Sequence, residues 1–235
     1  MGRTLLVDVV GLFPELVAQG LATSVLGRAQ VRGLLAVQAV QLRDYAVGRH
    51  LSLDDEPYGG GAGMLLRPDP VLRAIRALRR PRSQVVLLAA DGARFDQDAA
   101  RELARHDHLI LLCGHYEGFD ARIRHFVDRT LSLGDFVLSG GEPAALAIVD
   151  AVARLRPGVI DPDSLLEESF NQGLLEAPQY TRPPVFQGIG VPPVLLSGHH
   201  ARIRVHRQAV AERRTGHLRP PEAKETAAKT TRKED

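Results

Sequence analysis

The chain has 235 residues, 44% of them hydrophobic and 25% charged, with a formal net charge of +2 and a single cysteine, Cys113. This composition suits a globular protein and excludes an internal disulfide or a multi-cysteine zinc site. No apolar run approaches the roughly 18 residues of a membrane-spanning helix, and the opening MGRTLLVDVVGLFPELV turns acidic too early for a signal peptide, so a cytoplasmic protein with no membrane partner is expected.

In chain order, Thr4–Val10 is an apolar run that reads as a buried strand. Pro14 opens a helical pattern to about Arg28, since proline suits a first turn. Leu34–Leu42 alternates and reads as a second strand. Gly48–Pro68 contains GGGAG without periodicity and reads as a long loop, of a kind that is usually functional or disordered. A helix over Asp69–Arg79, a strand over Gln84–Ala90, a helix over Asp96–Arg105 and a strand over His108–Cys113 follow. A short helix at Phe119–Phe126, a strand at Val127–Leu133 and a helix from Pro143 to about Leu155 continue the alternation. That alternation predicts an α/β domain with a mostly parallel sheet. Arg156–Leu166 is rich in Pro, Gly and Asp and reads as a linker. Thr181–Pro193, with four prolines and two glycines, is expected to hold no regular element. Ser197–Arg214 reads as a helix carrying Arg202, Arg204, Arg207, Arg213 and Arg214, and Glu222–Asp235 as disordered.

Charge is uneven along the chain. Ala201–Asp235 holds ten Lys and Arg against five Asp and Glu, while the preceding 200 residues carry a net charge of −3. A basic C-terminal segment fits a polyanion partner, and equally a solvated helix face. The usual dinucleotide, P-loop, zinc-protease and nucleophile-elbow motifs are absent. The adjacent His199 and His200 read as helix neighbours, which point apart and do not chelate one metal.

Four glycine-bearing segments stand out at or near strand ends: PYGGGAGM (57–64), LAADG (88–92), CGHYEG (113–118) and LGDFVLSGGE (133–142). Strand ends of α/β sheets are where ligands bind, and glycine lets backbone groups approach them. Carboxylates (Asp54, Glu117, Glu168) and an arginine (Arg154) suit proton abstraction with stabilisation of an oxyanion, or serve only as surface ion pairs.

These segments, together with LFPEL (12–16), RDYAVGRH (43–50), GDFVLSGGEPA (134–144), ESFNQGLLEAPQYTRPPVF (168–186), VPPVLLSGHHARI (191–203) and Arg207, resemble the bacterial tRNA (guanine-N1-)-methyltransferases of the knotted SPOUT superfamily over about residues 4–220. The resemblance implies methyl transfer from S-adenosylmethionine to N1 of guanosine-37 in tRNA. It implies a homodimer with shared active sites and help from Mg2+. The fold it implies is a mostly parallel α/β sheet with a deep trefoil knot over about Val85–Leu155, plus a small, mainly helical C-terminal domain. The expected organisation is a knotted cofactor-binding domain over 1–160, a linker over 161–172, a tRNA-binding domain over 173–220 and a disordered tail over 221–235.

By position, the resemblance assigns the cofactor to Leu88, Ala90 and Gly92 of a first loop, Gly114, Tyr116, Glu117 and Gly118 of a second, and Leu133, Gly134, Phe136, Leu138, Gly140 and Gly141 of a third. Glu168 is the expected general base and Arg154 the group that steadies guanine O6. Asp54, Ser197, His200, Arg202 and Arg207 are the expected tRNA contacts. The sequence departs from the family pattern at Glu168, where Asp is usual, at Ala89-Ala90-Asp91-Gly92 for Ser-Pro-Gln-Gly, at His115 for Arg, at Pro143, and at His206 for Trp. A family member that binds tRNA without methylating it is the alternative.

Overall fold

A computed structural model describes residues 3–46, 51–166, 168–170 and 173–218. The chain divides into two units, Met1–Leu165 and Leu166–Asp235. The expected tail, like Glu167, lies outside the described residues.

The first unit is built on five parallel strands in the order β2-β1-β6-β5-β7: β1 Leu5–Gly11, β2 Leu35–Gln41, β5 Gln84–Arg94, β6 His108–Cys113 and β7 Arg129–Ser132. β6 is buried at every residue, as a central parallel strand covered on both faces must be. Side chains alternate between two cores. Val86, Leu88, Leu109, Leu111 and Cys113 pack with α1 (Pro14–Leu21), α2 (Ser24–Val31), α4 (Gln97–Leu103) and α5 (Glu142–Ala153). Val85, Leu87, Ile110 and Leu112 pack on the other face with α3 (Pro68–Leu78) and the 3-10 turn at Ala121–Phe126. This period of two places helices on both sides of the sheet.

Several expectations are corrected. The helix expected from Pro14 to Arg28 is two helices. The chain leaves helical geometry at Thr23, which is extended, and Gly20 and Gly27 weaken any continuous helix. The loop before Pro68 contains a short antiparallel ladder, β3 (Asp54–Asp55) against β4 (Leu65–Leu66). Strand β5 runs four residues past Ala90, because Leu131 pairs with both Leu88 and Ala93 while residues 89–92 bulge around it. The supposed linker starts with a buried side chain: Arg156 donates to the carbonyls of Ala104 (2.8 Å) and Arg3 (2.5 Å). It ends with the short helix α6, Pro162–Leu166.

The second unit holds a two-strand ladder, β8 (Val185–Phe186) and β9 (Ile189–Gly190), then α7 (Pro193–Leu196) and α8 (His200–Leu218). The ladder overturns the expectation of no regular element at Thr181–Pro193. Its four prolines fall outside the paired residues, and Gln187 and Gly188, at φ 50 and 82, make the two-residue turn that matches strand twist. His199 is not within the helix as expected. It precedes α8, its Nδ1 accepting from the Arg202 N–H (3.4 Å).

One polar chain crosses the sheet interior of the first unit. Ser83 Oγ is hydrogen-bonded to His108 Nδ1 (2.6 Å), and His108 Nε2 to Asp8 Oδ2 (2.9 Å), all three residues being buried. Its order is that of a hydrolytic triad, but the serine meets Nδ1 rather than Nε2, so it acts as a satisfied core network. His108→Leu strands the Asp8 carboxylate and the Ser83 hydroxyl in the core. It is expected to lower the unfolding free energy by about 1–3 kcal/mol in urea titrations. An unchanged midpoint and slope would show that the network contributes nothing.

Candidate functional site

The bulged part of β5 and the loops that follow β6 and β7 surround a cavity of about 460 Å³. This is the sheet edge at which parallel α/β folds take ligands, and the volume suits a nucleoside-sized molecule. Of the thirteen residues assigned to the cofactor from sequence, all but Gly92 line it: Leu88, Ala90, Gly114, Tyr116, Glu117, Gly118, Leu133, Gly134, Phe136, Leu138, Gly140 and Gly141.

Glycine is required where the loops meet. A Cβ on Gly141 would sit 2.7 Å from the Cys113 Cα, and the Gly141 N–H donates to the Gly114 carbonyl at 2.9 Å. A Cβ on Gly92 would lie 2.5 Å from the Leu131 backbone, so Gly92 serves strand-to-strand approach outside the cavity lining. The second loop turns sharply at Tyr116 (φ 59), closed by the Gly118 N–H on the His115 carbonyl (3.0 Å). Its outer side is tied down by the Glu117 N–H to the Met64 carbonyl (3.0 Å) and the Leu66 N–H to the Gly118 carbonyl (2.8 Å). Asp54 pairs with Leu66 on that ladder and does not line the cavity.

Acidic groups dominate the lining: Asp91, Glu117 and Asp120 against Arg124. Arg124 donates to both Asp91 carboxylate oxygens (2.7 and 2.8 Å). Its hydrogen bond and charge hold the Asp91 carboxyl below the ordinary carboxylate range. Arg122 does the same for Asp120. Cys113 is fully buried behind Gly141, and burial together with the Glu142 charge pushes its thiol well above the ordinary range. It stays a protonated core residue rather than a nucleophile.

Arg154 caps the C-terminal end of α5, whereas Gly141 at the N-terminal end lines the cavity. A helix of this length separates its ends by roughly 18 Å at 1.5 Å per residue. The chain therefore does not bring Arg154 to its own cavity.

The second unit has a cavity of its own, about 520 Å³, in which Glu168 meets His200, Arg204 and Arg207. The turn carrying Glu168 is held by the Phe170 N–H on the Leu174 carbonyl (2.6 Å) and the Glu176 N–H on Ser169 Oγ (3.1 Å). Ser197 and Arg202 lie outside its lining. The Ser197 hydroxyl donates to the Val194 carbonyl (2.7 Å) and accepts from the His199 N–H (3.2 Å), which makes it a local turn residue.

Sequence reasoning gave no role to four residues here. Asp91 and Arg124 meet only through tertiary packing, and no spacing connects them. His115 and the buried Glu142 sit in CGHYEG and LSGGE, where the neighbouring glycines were the available signal.

Among known proteins, a family model described as tRNA (Guanine-1)-methyltransferase TrmD matches residues 5–225. The chain is 56% identical to a tRNA (guanine-N(1)-)-methyltransferase of Thermus thermophilus over 90% of its length and 89% of the relative. It is 55% identical to that of Myxococcus xanthus over 84% and 81%, and 48% identical to that of Dictyoglomus turgidum over 91% and 88%.

Because Asp91 is lowered chiefly by its hydrogen bond to Arg124, Arg124→Ala should return its titration upward toward the ordinary range. The small stability the pair adds is present above the ordinary carboxyl pKa and is lost as pH falls through the lowered one. Carboxyl-detected NMR titration measures this, and an unmoved Asp91 midpoint would show that the pair does not form.

Proposed function

This chain belongs to the tRNA (guanine-1)-methyltransferase family, and on that premise we propose that it transfers the methyl group of S-adenosylmethionine to N1 of guanosine-37 in tRNA. The observation that carries the reading is the cavity at the strand ends, cornered by glycines and ringed by carboxylates. It suits an adenine between backbone groups and apolar walls (Leu88, Leu133, Leu138), with a cationic sulfonium near Glu117. No helix among the described residues is long and apolar enough to cross a membrane.

S-adenosylmethionine, when bound, supplies an electrophilic methyl group and leaves as the neutral thioether. The chain's own residues must prepare the nucleophile. Guanine N1 carries a proton at neutral pH, and Glu168 accepts it as the N1–CH3 bond forms, leaving the proton on the carboxyl. Negative charge moves onto O6 as N1 loses its proton, and the Arg154 guanidinium neutralises it. Glu168 shares its cavity with His200, Arg204 and Arg207, which suits an RNA strand beside the base. Ser197 and Arg202 contact the RNA from the turn and the first turn of α8, and Asp54 reads the donor edge of the guanine.

We assign the trefoil knot to the segment around Val85–Leu155. In support, Leu131 pairs with β5 on both sides of the 89–92 bulge, and Gly92 meets Leu131 backbone to backbone. With it we propose the domain scheme of 1–160, 161–172 and 173–220. We propose a homodimer with shared sites; the place of Arg154 at the far end of α5 from its own cavity supports this reading, on which it serves the cavity of a second copy. Exposed apolar side chains beside the third loop, Phe136 and Val137, fit burial by a second copy. Mg2+ keeps most of its waters and needs few protein carboxylates. Among the described residues no group of three or more His, Cys, Asp or Glu could hold a metal, so no step is routed through the ion.

Incubation with labelled S-adenosylmethionine and a tRNA transcript should place label in N1-methylguanosine, and a transcript with adenosine at position 37 should remain unlabelled. Glu168→Gln is expected to slow single-turnover methylation by about 10²-fold or more while cofactor and tRNA affinity change little. Binding of tRNA without label transfer by the parent chain overturns the reading. For the shared site, Gly140→Val places a side chain on His115 and spoils one chain's cavity. Mixed with Arg154→Ala chains, it should form hybrids with activity that neither variant has alone. Hybrids shown to form yet inactive would place each complete site within one chain.

A further inference from the structure

Besides its backbone ties, the second loop is joined to the rest of the first unit by the His115 side chain, through a buried carboxylate. Glu142, 1% exposed at the start of α5, accepts the Leu12 N–H (3.1 Å) and Phe13 N–H (3.3 Å) on Oε1. Its Oε2 lies 2.7 Å from His115 Nε2. One carboxylate thus gathers the turn after β1, the loop after β6 and the N-terminus of α5. Room for the pair is kept by two glycines from separate segments. A Cβ on Gly11 would stand 2.5 Å from Glu142 Oε1, and one on Gly140 would collide with His115 Nε2. The Phe13 ring meets the imidazole edge-on at 4.9 Å.

An ionised carboxylate has no proton to give, so His115 must donate from Nε2. That fixes the imidazole as the Nε2–H tautomer when neutral and locks its ring. The His115 carbonyl in turn closes the turn whose Tyr116 sits at φ 59, a conformation that persists only where surroundings enforce it. His115 itself lines the cavity, so the wall His115-Tyr116-Glu117-Gly118 is held through its imidazole by Glu142, which lies outside the lining. We propose that the His115–Glu142 hydrogen bond is a latch that positions this wall for the cofactor, which makes His115 a positioning residue for S-adenosylmethionine binding. The proposal rests on the reading of this cavity as the cofactor site. It predicts loss of binding rather than of chemistry, since neither residue is placed at the guanine.

Two variants separate the latch from a packing role. His115→Ala removes the donor, whereas His115→Gln retains an N–H at similar reach. Calorimetry with S-adenosylhomocysteine should show about tenfold or weaker affinity for the alanine variant and near-parental affinity for the glutamine variant. The KM for S-adenosylmethionine should rise with kcat at saturation little changed. In the parent, 15N NMR of labelled histidine should find Nε2 protonated and Nδ1 bare at a pH where the ring is neutral. Parental affinity in His115→Ala overturns the latch, as does an Nδ1–H tautomer, or a glutamine variant as weak as alanine. A parent chain that does not bind S-adenosylhomocysteine overturns the cofactor reading instead.

Discussion

Backbone packed directly on backbone, with no side chain between, is the constraint on which the first unit depends. Gly92 lies against the main chain of Leu131, and Gly141 against Cys113 and the Gly114 nitrogen. This closeness lets the bulge of β5 and the loops after β6 and β7 converge tightly enough to enclose a cavity. Any Cβ at these points would push the loops apart by several tenths of an ångström or more. The same closeness exposes backbone donors and acceptors to whatever occupies the cavity, which is how a glycine-rich wall can bind a purine without many polar side chains. The hydrophobic layers on either face of the sheet then act as a rigid base, so the strand ends keep their spacing.

Around that frame the charged groups divide into those fixed early and those left for ligands. Glu142 is satisfied inside the protein, and Asp91 and Asp120 are held by neighbouring arginines. Glu117 has no ion-pair partner among the described residues, so its charge is the one most open to a cationic ligand. The proposed base, Glu168, belongs to the second unit, where arginines of α8 share its cavity. On the proposed roles, cofactor capture and proton removal fall to different units, and the place of Arg154 at the remote end of α5 fits the proposed pairing of two chains.

The regular core was legible because its signals are local. The buried strand His108–Cys113 is six apolar or neutral residues bounded by turns, and the structure places the strand over the same residues. CGHYEG and LGDFVLSGGE were legible as strand-end segments for the same reason, whereas LAADG proved to be a bulge inside β5. What escaped depends on contacts distant in sequence. Strand β5 outruns its apolar stretch because Leu131 supplies partners past the bulge, and no periodicity within 84–94 encodes Leu131. The β8–β9 hairpin was hidden by flanking prolines, although Gln187-Gly188 held the turn signal. Asp91 with Arg124, and Glu142 with His115 and the Leu12–Phe13 turn, are pairings that only the fold creates. The proposed knot and the proposed roles of Glu168 and Arg154 rest on resemblance, since threading and function leave no trace in composition or spacing.

The central claim is that the bulge of β5 and the loops after β6 and β7 form the cofactor site. A crystal structure of the chain with S-adenosylhomocysteine tests it most directly. The account predicts the ligand enclosed by the residues around Leu88–Ala90, Gly114–Gly118 and Leu133–Gly141, its adenine against backbone groups and its sulfur near Glu117. Ligand bound elsewhere, with these loops empty and unmoved, would contradict it.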